Sequence, residues 1–151
     1  MSGERYATRE AYGLDAIRIL ENLREEEKRE IRKMGADVTS AVLGSFACSD
    51  CVYVLSEGDK AILMFGVYEP LIGVPLVWAL GTTDCDKCPL LMVKWGRMVT
   101  DILRKNYGKL ENWCDADYTA SLRWLRLIGF TVDDPVDGFC HLHTEVEQCA
   151  S

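Results

Sequence analysis

The sequence predicts an α+β protein with a mixed sheet of about six or seven strands, an antiparallel meander at its centre and helices on both faces. Three observations support this fold class. The N-terminal third is helical in pattern, three β-rich segments follow between Cys51 and Leu80, and Leu110–Val132 has the pattern strand, Asp-rich turn, helix, Gly, strand. Such a succession is typical of a sheet covered by helices. We expect residues 1–151 to form a single domain whose residues 144–151 are a frayed tail.

Composition excludes several classes of protein. A chain of 151 residues with 48% hydrophobic content is long enough to bury a core. It has no run of about eighteen apolar residues, so we expect no membrane span. The charged N-terminus lacks the apolar segment of a secretory signal, which favours a cytoplasmic protein. A formal net charge of -7 disfavours binding to nucleic acid.

The first third predicts an edge strand and three helices. Arg5–Arg9 is the candidate edge strand, and the apolar side of the first helix is expected to comprise Leu14, Ile17, Ile19, Leu20 and Leu23. Residues 23–35 are dense in both acidic and basic side chains, with pairs such as Glu26 and Arg29 at helical contact spacing, which predicts a solvated helix ended by Gly35. Asp37 is expected to cap a third helix, Val38–Phe46.

Three strands are expected next. Cys51–Leu55 and Lys60–Tyr68 flank Glu57-Gly58-Asp59, a sequence suited to a hairpin turn. Gly66 inside the second strand indicates a bulge or a close backbone approach. Val74–Leu80 supplies the third strand of the meander.

A long helix is predicted over Pro89–Tyr107, because Pro suits the first helical turn and Gly108 follows the last. Its buried face is expected to comprise Leu91, Val93, Trp95, Met98, Val99, Ile102 and Leu103. In the block that follows, Leu110–Cys114 is a candidate strand, Thr119–Ile128 a helix, and Gly129 the left-handed residue that ends it. Leu122, Leu125 and Ile128 form the apolar stripe of that helix.

The block Leu110–Val132 resembles the last conserved block of the GNAT acyltransferase fold, in which an Asn-x-x-Ala-type helix start leads to a Tyr and then to Gly-Phe, here Gly129-Phe130. Its core, WCDADYTASLRWLRLIGF, is also similar to a phage protein family that includes internal virion protein A of short-tailed phages. That family has a Trp-Leu-Lys-x-x-Gly-Phe helix end. The likeness extends more weakly through residues 23–45, Ala61–Val67 and Gly73–Thr82. It implies a GNAT-like sheet in a phage protein.

The resemblance directs attention to the segment after the third meander strand. In active GNAT enzymes a Gly-rich loop there presents backbone N–H groups to the pyrophosphate of acetyl-CoA at a helix N-terminus. Here the segment Gly81–Pro89 has one Gly, at the strand end, and two carboxylates, Asp84 and Asp86. Carboxylates repel a diphosphate, so we expect no cofactor. If acetyl-CoA does bind, the resemblance assigns its binding to Thr82, Thr83, Lys87 and Cys88.

The catalytic groups of the family are incomplete in this sequence. GNAT chemistry uses a base that takes a proton from the amine and an acid, often a Tyr, that protonates the departing thiolate. The Tyr position of the motif, four residues before Gly129, is Leu125, and the Asn position, seven before that, is Tyr118. Glu69 and Tyr118 remain as catalytic candidates. The loss of the Tyr indicates a catalytically degenerate protein.

Two sets of side chains have the composition of metal ligands. The Cys-x-x-Cys pairs Cys48/Cys51 and Cys85/Cys88 have zinc-site spacing, but the predicted meander places them at opposite ends of the sheet, so thiols at strand ends are the favoured interpretation. His141 and His143 lie two residues apart in the candidate strand Phe139–Val146 and face the same side. They are suited to bind a metal or to shuttle protons, yet the sequence shows no third ligand.

Two functions are compatible with these observations. The first is a catalytically degenerate GNAT-fold phage protein that acts through protein contacts in virion assembly or as a minor internal virion component. Its partners would be other phage virion proteins or a host protein, or a second copy of the chain. The second is an acetyl-CoA-dependent N-acetyltransferase that modifies a host or phage amine. Either would work in the cytoplasm of an infected bacterium, and the first also in the virion.

Overall fold

A computed structural model describes residues 5–145 of the chain. The strands are β1 (Tyr6–Glu10), β2 (Cys51–Glu57), β3 (Lys60–Tyr68), β4 (Leu76–Gly81), β5 (Glu111–Asp115), β6 (Thr131–Val132) and β7 (Phe139–His143). The helices are α1 (Gly13–Glu21), α2 (Glu25–Lys33), α3 (Val38–Cys48), a 3₁₀ helix (Thr83–Lys87), α4 (Pro89–Tyr107) and α5 (Thr119–Leu127). Hydrogen bonding orders the strands β1-β2-β3-β4-β5-β7-β6, a mixed sheet that confirms the predicted fold class.

The chain forms two compact units. The first comprises the residues up to Glu69 together with Val77–Lys87, and the second comprises Pro70–Leu76 together with the residues from Cys88 onward. Strand β4 therefore begins in the second unit and continues in the first. The expectation of a single domain stays a prediction.

The first unit contains the antiparallel meander. β1 pairs with β2, and β2 pairs with β3 through a hairpin whose turn contains Gly58 at a φ of 59°. The predicted close approach at Gly66 is confirmed, since a Cβ there would lie 2.7 Å from the Cys51 carbonyl oxygen and from the Trp78 ring. The bulge lies elsewhere, between Leu55 and Ser56. Helices α1 and α3 pack on β3. Apolar side chains of these helices and of β2 and β3 fill the core: Ala16, Ile19, Val42, Val54, Ala61 and Met64.

The second unit contains β5, β6 and β7 with the helices α4 and α5. β7 pairs antiparallel with both β5 and β6. Leu76 at the start of β4 pairs in parallel with Glu111, and the Glu111 N–H donates to the Pro75 carbonyl at 3.1 Å. Helix α5 packs closely on α4 at Gly96, where a Cβ would lie 2.6 Å from Ile128. As predicted, Gly129 ends α5 with a φ of 117°.

Helix burial differs from the sequence prediction in two helices, α1 and α4. Leu14 and Ile17, expected on the apolar side of α1, are 81% and 45% exposed, because the buried face of α1 carries Asp15, Ala16 and Ile19. In α4, Met98 and Ile102 are about half exposed, while the buried positions are Met92, Trp95, Gly96, Thr100 and Leu103. The 3.6-residue period permits neighbouring stripes, and tertiary contacts select between them.

The predicted C-terminal tail begins too early. Thr144 is 1% exposed, and its hydroxyl oxygen accepts a 3.0 Å hydrogen bond from the Leu110 N–H. Residue 144 is therefore anchored rather than frayed, and residues 146–151 lie outside the described part of the chain. Within residues 5–145, no helix combines the length and the apolar character needed to cross a bilayer.

A carboxylate at the start of α1 joins the helix to the edge strand. Asp15 is 6% exposed and accepts two hydrogen bonds from the Arg9 guanidinium, at 2.7 and 2.8 Å, and one from the Tyr12 N–H at 2.8 Å. Burial raises the pKa of Asp15, but the bonds from Arg9 and Tyr12 lower it more. The pKa therefore lies below its ordinary value.

We expect Asp15→Asn to lower the free energy of unfolding at neutral pH by about 1–3 kcal/mol, since charge-assisted bonds are lost. A carboxyl whose pKa falls on folding stabilises the protein above its unfolded-state pKa, and this stabilisation disappears as the pH falls through the folded-state pKa. The variant and the wild type should converge in strong acid, as measured by denaturant unfolding across pH. The exposed Asp101→Asn serves as the control, and parallel curves for Asp15→Asn and the wild type would contradict the prediction.

Candidate functional site

The predicted cofactor-binding segment after β4 is a closed turn. Thr82, Thr83 and Lys87 lie together in the first unit, where Thr83–Lys87 form the 3₁₀ helix rather than an open loop. The Thr82 N–H and hydroxyl both donate to the Ile62 carbonyl, at 3.0 and 2.8 Å. The Thr83 N–H donates to the Asn22 carbonyl at 3.3 Å, and the Cys85 N–H to the Thr82 carbonyl at 3.1 Å. The backbone N–H groups of Thr82, Thr83 and Cys85 are therefore already bonded within the unit.

A buried carboxylate that the sequence pattern did not reveal completes this turn. Glu27, in the first turn of the helix predicted to be solvated, is 5% exposed. Its Oε1 accepts from Arg24 Nη2 at 2.6 Å and from the Gly81 N–H at 3.3 Å. Burial raises the pKa of Glu27 above its ordinary value, although Arg24 opposes this. The end of β4 is thus held by an acidic side chain of α2.

Both aspartates of the segment have basic partners. Asp84 contacts Lys87 Nζ at 3.0 Å and Lys60 Nζ at 3.3 Å, and Asp86 contacts Arg24 Nη1 at 3.3 Å. The bond from Lys87 and the charges of both lysines hold the pKa of Asp84 below its ordinary value. The basic side chains at the turn are therefore paired with its aspartates. They include Lys87, the only basic residue of the segment that was expected to offset the charge of a diphosphate.

Cys88, the fourth predicted cofactor residue, lies at the start of the second unit. It precedes α4, whose first residue is Pro89 as predicted, and its carbonyl accepts from the Met92 N–H at 3.0 Å. The backbone of this helix start is the expected one, so the structural role predicted for Pro89 is confirmed. The cofactor-binding role of the four residues stays a prediction.

The two catalytic candidates occupy different surroundings. Glu69 is exposed just beyond β3 in the first unit, and its N–H donates to Asp50 at 2.6 Å. Tyr118, in the second unit, is 8% exposed at the N-terminus of α5. Leu125, at the motif position of the acid, lies within α5 and carries no ionisable group. A catalytic role for Glu69 or Tyr118 stays a prediction.

The cysteine pairs occupy the junctions that the sequence predicts. Cys48 ends α3 and Cys51 begins β2, where it pairs with Val67 of β3. The buried Cys85 thiol donates instead to the Ile62 carbonyl at 3.2 Å. Ile62 and Val67 are five residues apart on one strand, roughly 16 Å. Cys51 and Cys85 are therefore too far apart to ligate the same zinc ion, for which each Zn–S bond is about 2.3 Å.

The two histidines share one side of β7, as predicted. Their rings stack with centroids 5.0 Å apart and an interplanar angle of 25°. Unlike the sequence, the structure supplies further polar partners, among them Asp133 directly after β6. Hydrogen bonds from His143 and then from His141 hold the pKa of Asp133 below its ordinary value.

Comparison with solved structures gives the fold of this chain. A GNAT-family acetyltransferase from Bacillus anthracis has a TM-score of 0.67 at 10% identity, covering 93% of this chain and 95% of that chain. The aminoglycoside acetyltransferase AAC(6')-Ib in complex with coenzyme A has a TM-score of 0.65 at 18% identity, with 93% and 94% covered. The PaiA N-acetyltransferase from Thermoplasma acidophilum in complex with coenzyme A has a TM-score of 0.63 at 10% identity, with 93% and 98% covered.

The predicted GNAT fold is therefore confirmed. No family model and no curated protein matches the sequence. Because the identities are low, the structural likeness establishes the fold and does not establish an activity. The likeness to phage internal virion proteins stays a prediction.

We expect Glu27→Ala to lower the free energy of unfolding by about 3 kcal/mol, because it leaves the Arg24 guanidinium and the Gly81 N–H without this acceptor. Glu26→Ala, an exposed neighbour on the same helix, should change it by less than about 0.5 kcal/mol. Denaturant unfolding measures both variants, and amide hydrogen exchange at Gly81 should accelerate in Glu27→Ala alone. Equal losses in the two variants would show that Glu27 has no special role.

Proposed function

We propose that this chain is a catalytically degenerate GNAT-fold protein that acts through protein contacts. The observation that carries the proposal is the closed turn after β4, in which the N–H groups of Gly81, Thr82, Thr83 and Cys85 all bond to acceptors within the first unit. Diphosphate binding by backbone requires such groups to point at the ligand. A diphosphate that took these N–H groups would break their hydrogen bonds to acceptors of the protein, among them the buried Glu27 carboxylate.

The electrostatics of the turn support the same conclusion. Asp84 and Asp86 pair with Lys60, Lys87 and Arg24, so the local cations are already neutralised. The whole chain carries a formal net charge of -7, which adds no attraction for a nucleotide polyanion. Catalysis lacks support as well, because Leu125 occupies the position where the family motif has the Tyr that protonates the departing thiolate.

The biological setting of the proposal rests on the resemblance of residues 113–130 to the phage family. We place the protein in virion assembly or in the virion as a minor internal component, with other virion proteins or a host protein as partners. A surface suited to such contacts is the tip of the loop between β3 and β4. There Leu71 and Ile72, which are adjacent, have relative exposures of 104% and 92%. Exposed neighbouring apolar side chains favour a protein contact.

An acetyl-CoA-dependent N-acetyltransferase that modifies a host or phage amine is the second candidate. The observation that favours it is the fold shared with AAC(6')-Ib and PaiA, whose structures contain coenzyme A. Under this alternative, Thr82, Thr83, Lys87 and Cys88 would contact the cofactor. The hydrogen bonds of the turn would then have to rearrange on binding.

We expect acetyl-CoA at millimolar concentration to leave the melting temperature unchanged, with AAC(6')-Ib as the positive control. A ligand present at one hundred times its Kd would stabilise the folded state by about 2.7 kcal/mol, which a thermal shift detects. The Asp84→Asn/Asp86→Asn double variant should also give no shift, because the backbone donors remain bonded. Saturable binding by the wild type would support the acetyltransferase. Binding gained only by the double variant would show that charge, and not the bonded backbone, excludes the cofactor.

For the contact surface, we expect Leu71→Asp/Ile72→Asp to reduce co-purification with capsid, portal or ejection proteins from infected cells. The substitutions should leave stability unchanged, since both side chains are exposed. Leu14→Asp, at another exposed apolar side chain of 81% exposure, is the matched control and should retain the partners. Equal recovery of virion proteins by both variants and the wild type would exclude this loop as the contact.

A further inference from the structure

Five polar side chains of the second unit form a connected group that the proposed function does not use. We call it the β7 histidine cluster: Glu111, Asp133, His141, His143 and Glu145. His141 lies between Glu111, whose Oε1 is 2.9 Å from Nε2, and Asp133, whose Oδ2 is 3.4 Å from Nδ1. His143 lies between Asp133, whose Oδ1 is 3.2 Å from Nε2, and Glu145, whose Oε1 is 3.0 Å from Nδ1.

Two neutral histidines have too few N–H groups to donate to every carboxylate oxygen that contacts them. A neutral imidazole has one N–H and one lone pair, whereas an ionised carboxylate only accepts. Each ring here has a carboxylate oxygen next to both nitrogens, so one lone pair per ring must face a carboxylate. A divalent cation removes the conflict, because lone pairs and carboxylate oxygens can then face the ion together.

We propose that the cluster binds a divalent transition-metal ion of the zinc class. The ligands are the Asp133 carboxylate, Nδ1 of His141 and Nε2 of His143, whose residues offer ligand atoms all within 4.8 Å of one another. Tetrahedral zinc with bonds of about 2.0–2.1 Å separates its ligand atoms by roughly 3.3 Å. Asp133 Oδ2 lies 3.4 Å from Nδ1 of His141 and Asp133 Oδ1 lies 3.2 Å from Nε2 of His143, so each carboxylate oxygen is close to that spacing from one ring.

The outer contacts of both rings fit the same assignment. With the ion on the inner nitrogens, Nε2–H of His141 donates to Glu111 and Nδ1–H of His143 donates to Glu145. A carboxylate on the remaining N–H of a ligating histidine fixes its tautomer and ring orientation, and it strengthens the metal bond. Here both histidines have one.

Ligand chemistry selects the class of ion. Mg²⁺ and Ca²⁺ prefer oxygen ligands, whereas two imidazoles with one carboxylate suit Zn²⁺ and its neighbours in the first transition row. The backbone already holds the ligands together, since the Asp133 N–H donates to the His141 carbonyl at 2.9 Å. β6 contains only Thr131 and Val132, so an ion at Asp133 would fasten this short strand to β7.

Titration of chelator-treated protein with ZnCl₂, followed by calorimetry and by imidazole nitrogen NMR, tests the proposal. The chain has two histidines, so every imidazole signal belongs to the cluster. We expect one equivalent of Zn²⁺ to shift both rings. Glu111→Gln should weaken binding about 10–100-fold, as loss of a carboxylate partner of a ligand does. Asp133→Asn should abolish binding, and Asp134→Asn, an exposed neighbour, should leave it unchanged.

Asp133 is half exposed, so its substitution does not threaten folding, which circular dichroism verifies. Zinc uptake that Asp133→Asn leaves unchanged would overturn the proposed ligand set. Uptake that shifts no imidazole signal would assign the ion to other side chains, such as the cysteine thiols, and would overturn the proposal. Failure of the wild type to take up Zn²⁺ at micromolar concentration would overturn it as well, and the cluster would then be a hydrogen-bonded network of histidines and carboxylates.

Discussion

The buried pair of Glu27 and Arg24 is the interaction on which the turn after β4 depends. A carboxylate removed from water is costly unless donors replace its hydration, and here the Arg24 guanidinium and the Gly81 N–H do so. The same guanidinium reaches Asp86. One arginine therefore joins α2, the end of β4 and the 3₁₀ helix. Opening the turn would remove a donor from a buried charge, so this pair stabilises the closed form specifically.

The fold of this protein and the binding of a cofactor depend on different features of the chain. The GNAT sheet requires buried strands, a hairpin at Gly58 and a helix after β4, and these depend on apolar packing and backbone geometry. Acetyl-CoA binding requires something independent of that packing, namely backbone N–H groups left without internal acceptors. Thr82 illustrates the difference, because both its N–H and its hydroxyl bond to the Ile62 carbonyl. A shared scaffold does not by itself determine whether such groups are available to a ligand.

Local sequence signals predicted the bounds of helices and strands. Burial and hydrogen bonding depended on residues that are distant in sequence. β3 and α4 have the predicted bounds because a Gly turn precedes β3, while Pro89 and Gly108 mark the two ends of α4. The burial of Glu27 was not predictable, because a helix dense in both charges is typically solvated and its partner Gly81 is 54 residues away. Exposure of Met98 followed from contacts between helices that a periodic pattern does not specify. The acidic residues after β4 are visible in the sequence, but the acceptors of the Thr82 and Thr83 N–H groups, the carbonyls of Ile62 and Asn22, are not, because no motif connects them to the turn.

The histidines show how register converts a two-residue spacing into a candidate metal centre. The period of a strand places His141 and His143 on one side of β7, and this is all that their spacing can establish. Glu111 comes into reach because β5 pairs with β7 in the register that sets Trp113 opposite His141. Asp133 comes into reach because β6 pairs with the other edge of β7, so the residue after Val132 lies beside His141. A one-residue slip in either ladder would turn the carboxylates to the opposite side. The pairing of β7 with β5 and β6 thus determines whether the two histidines are isolated side chains or part of a ligand set.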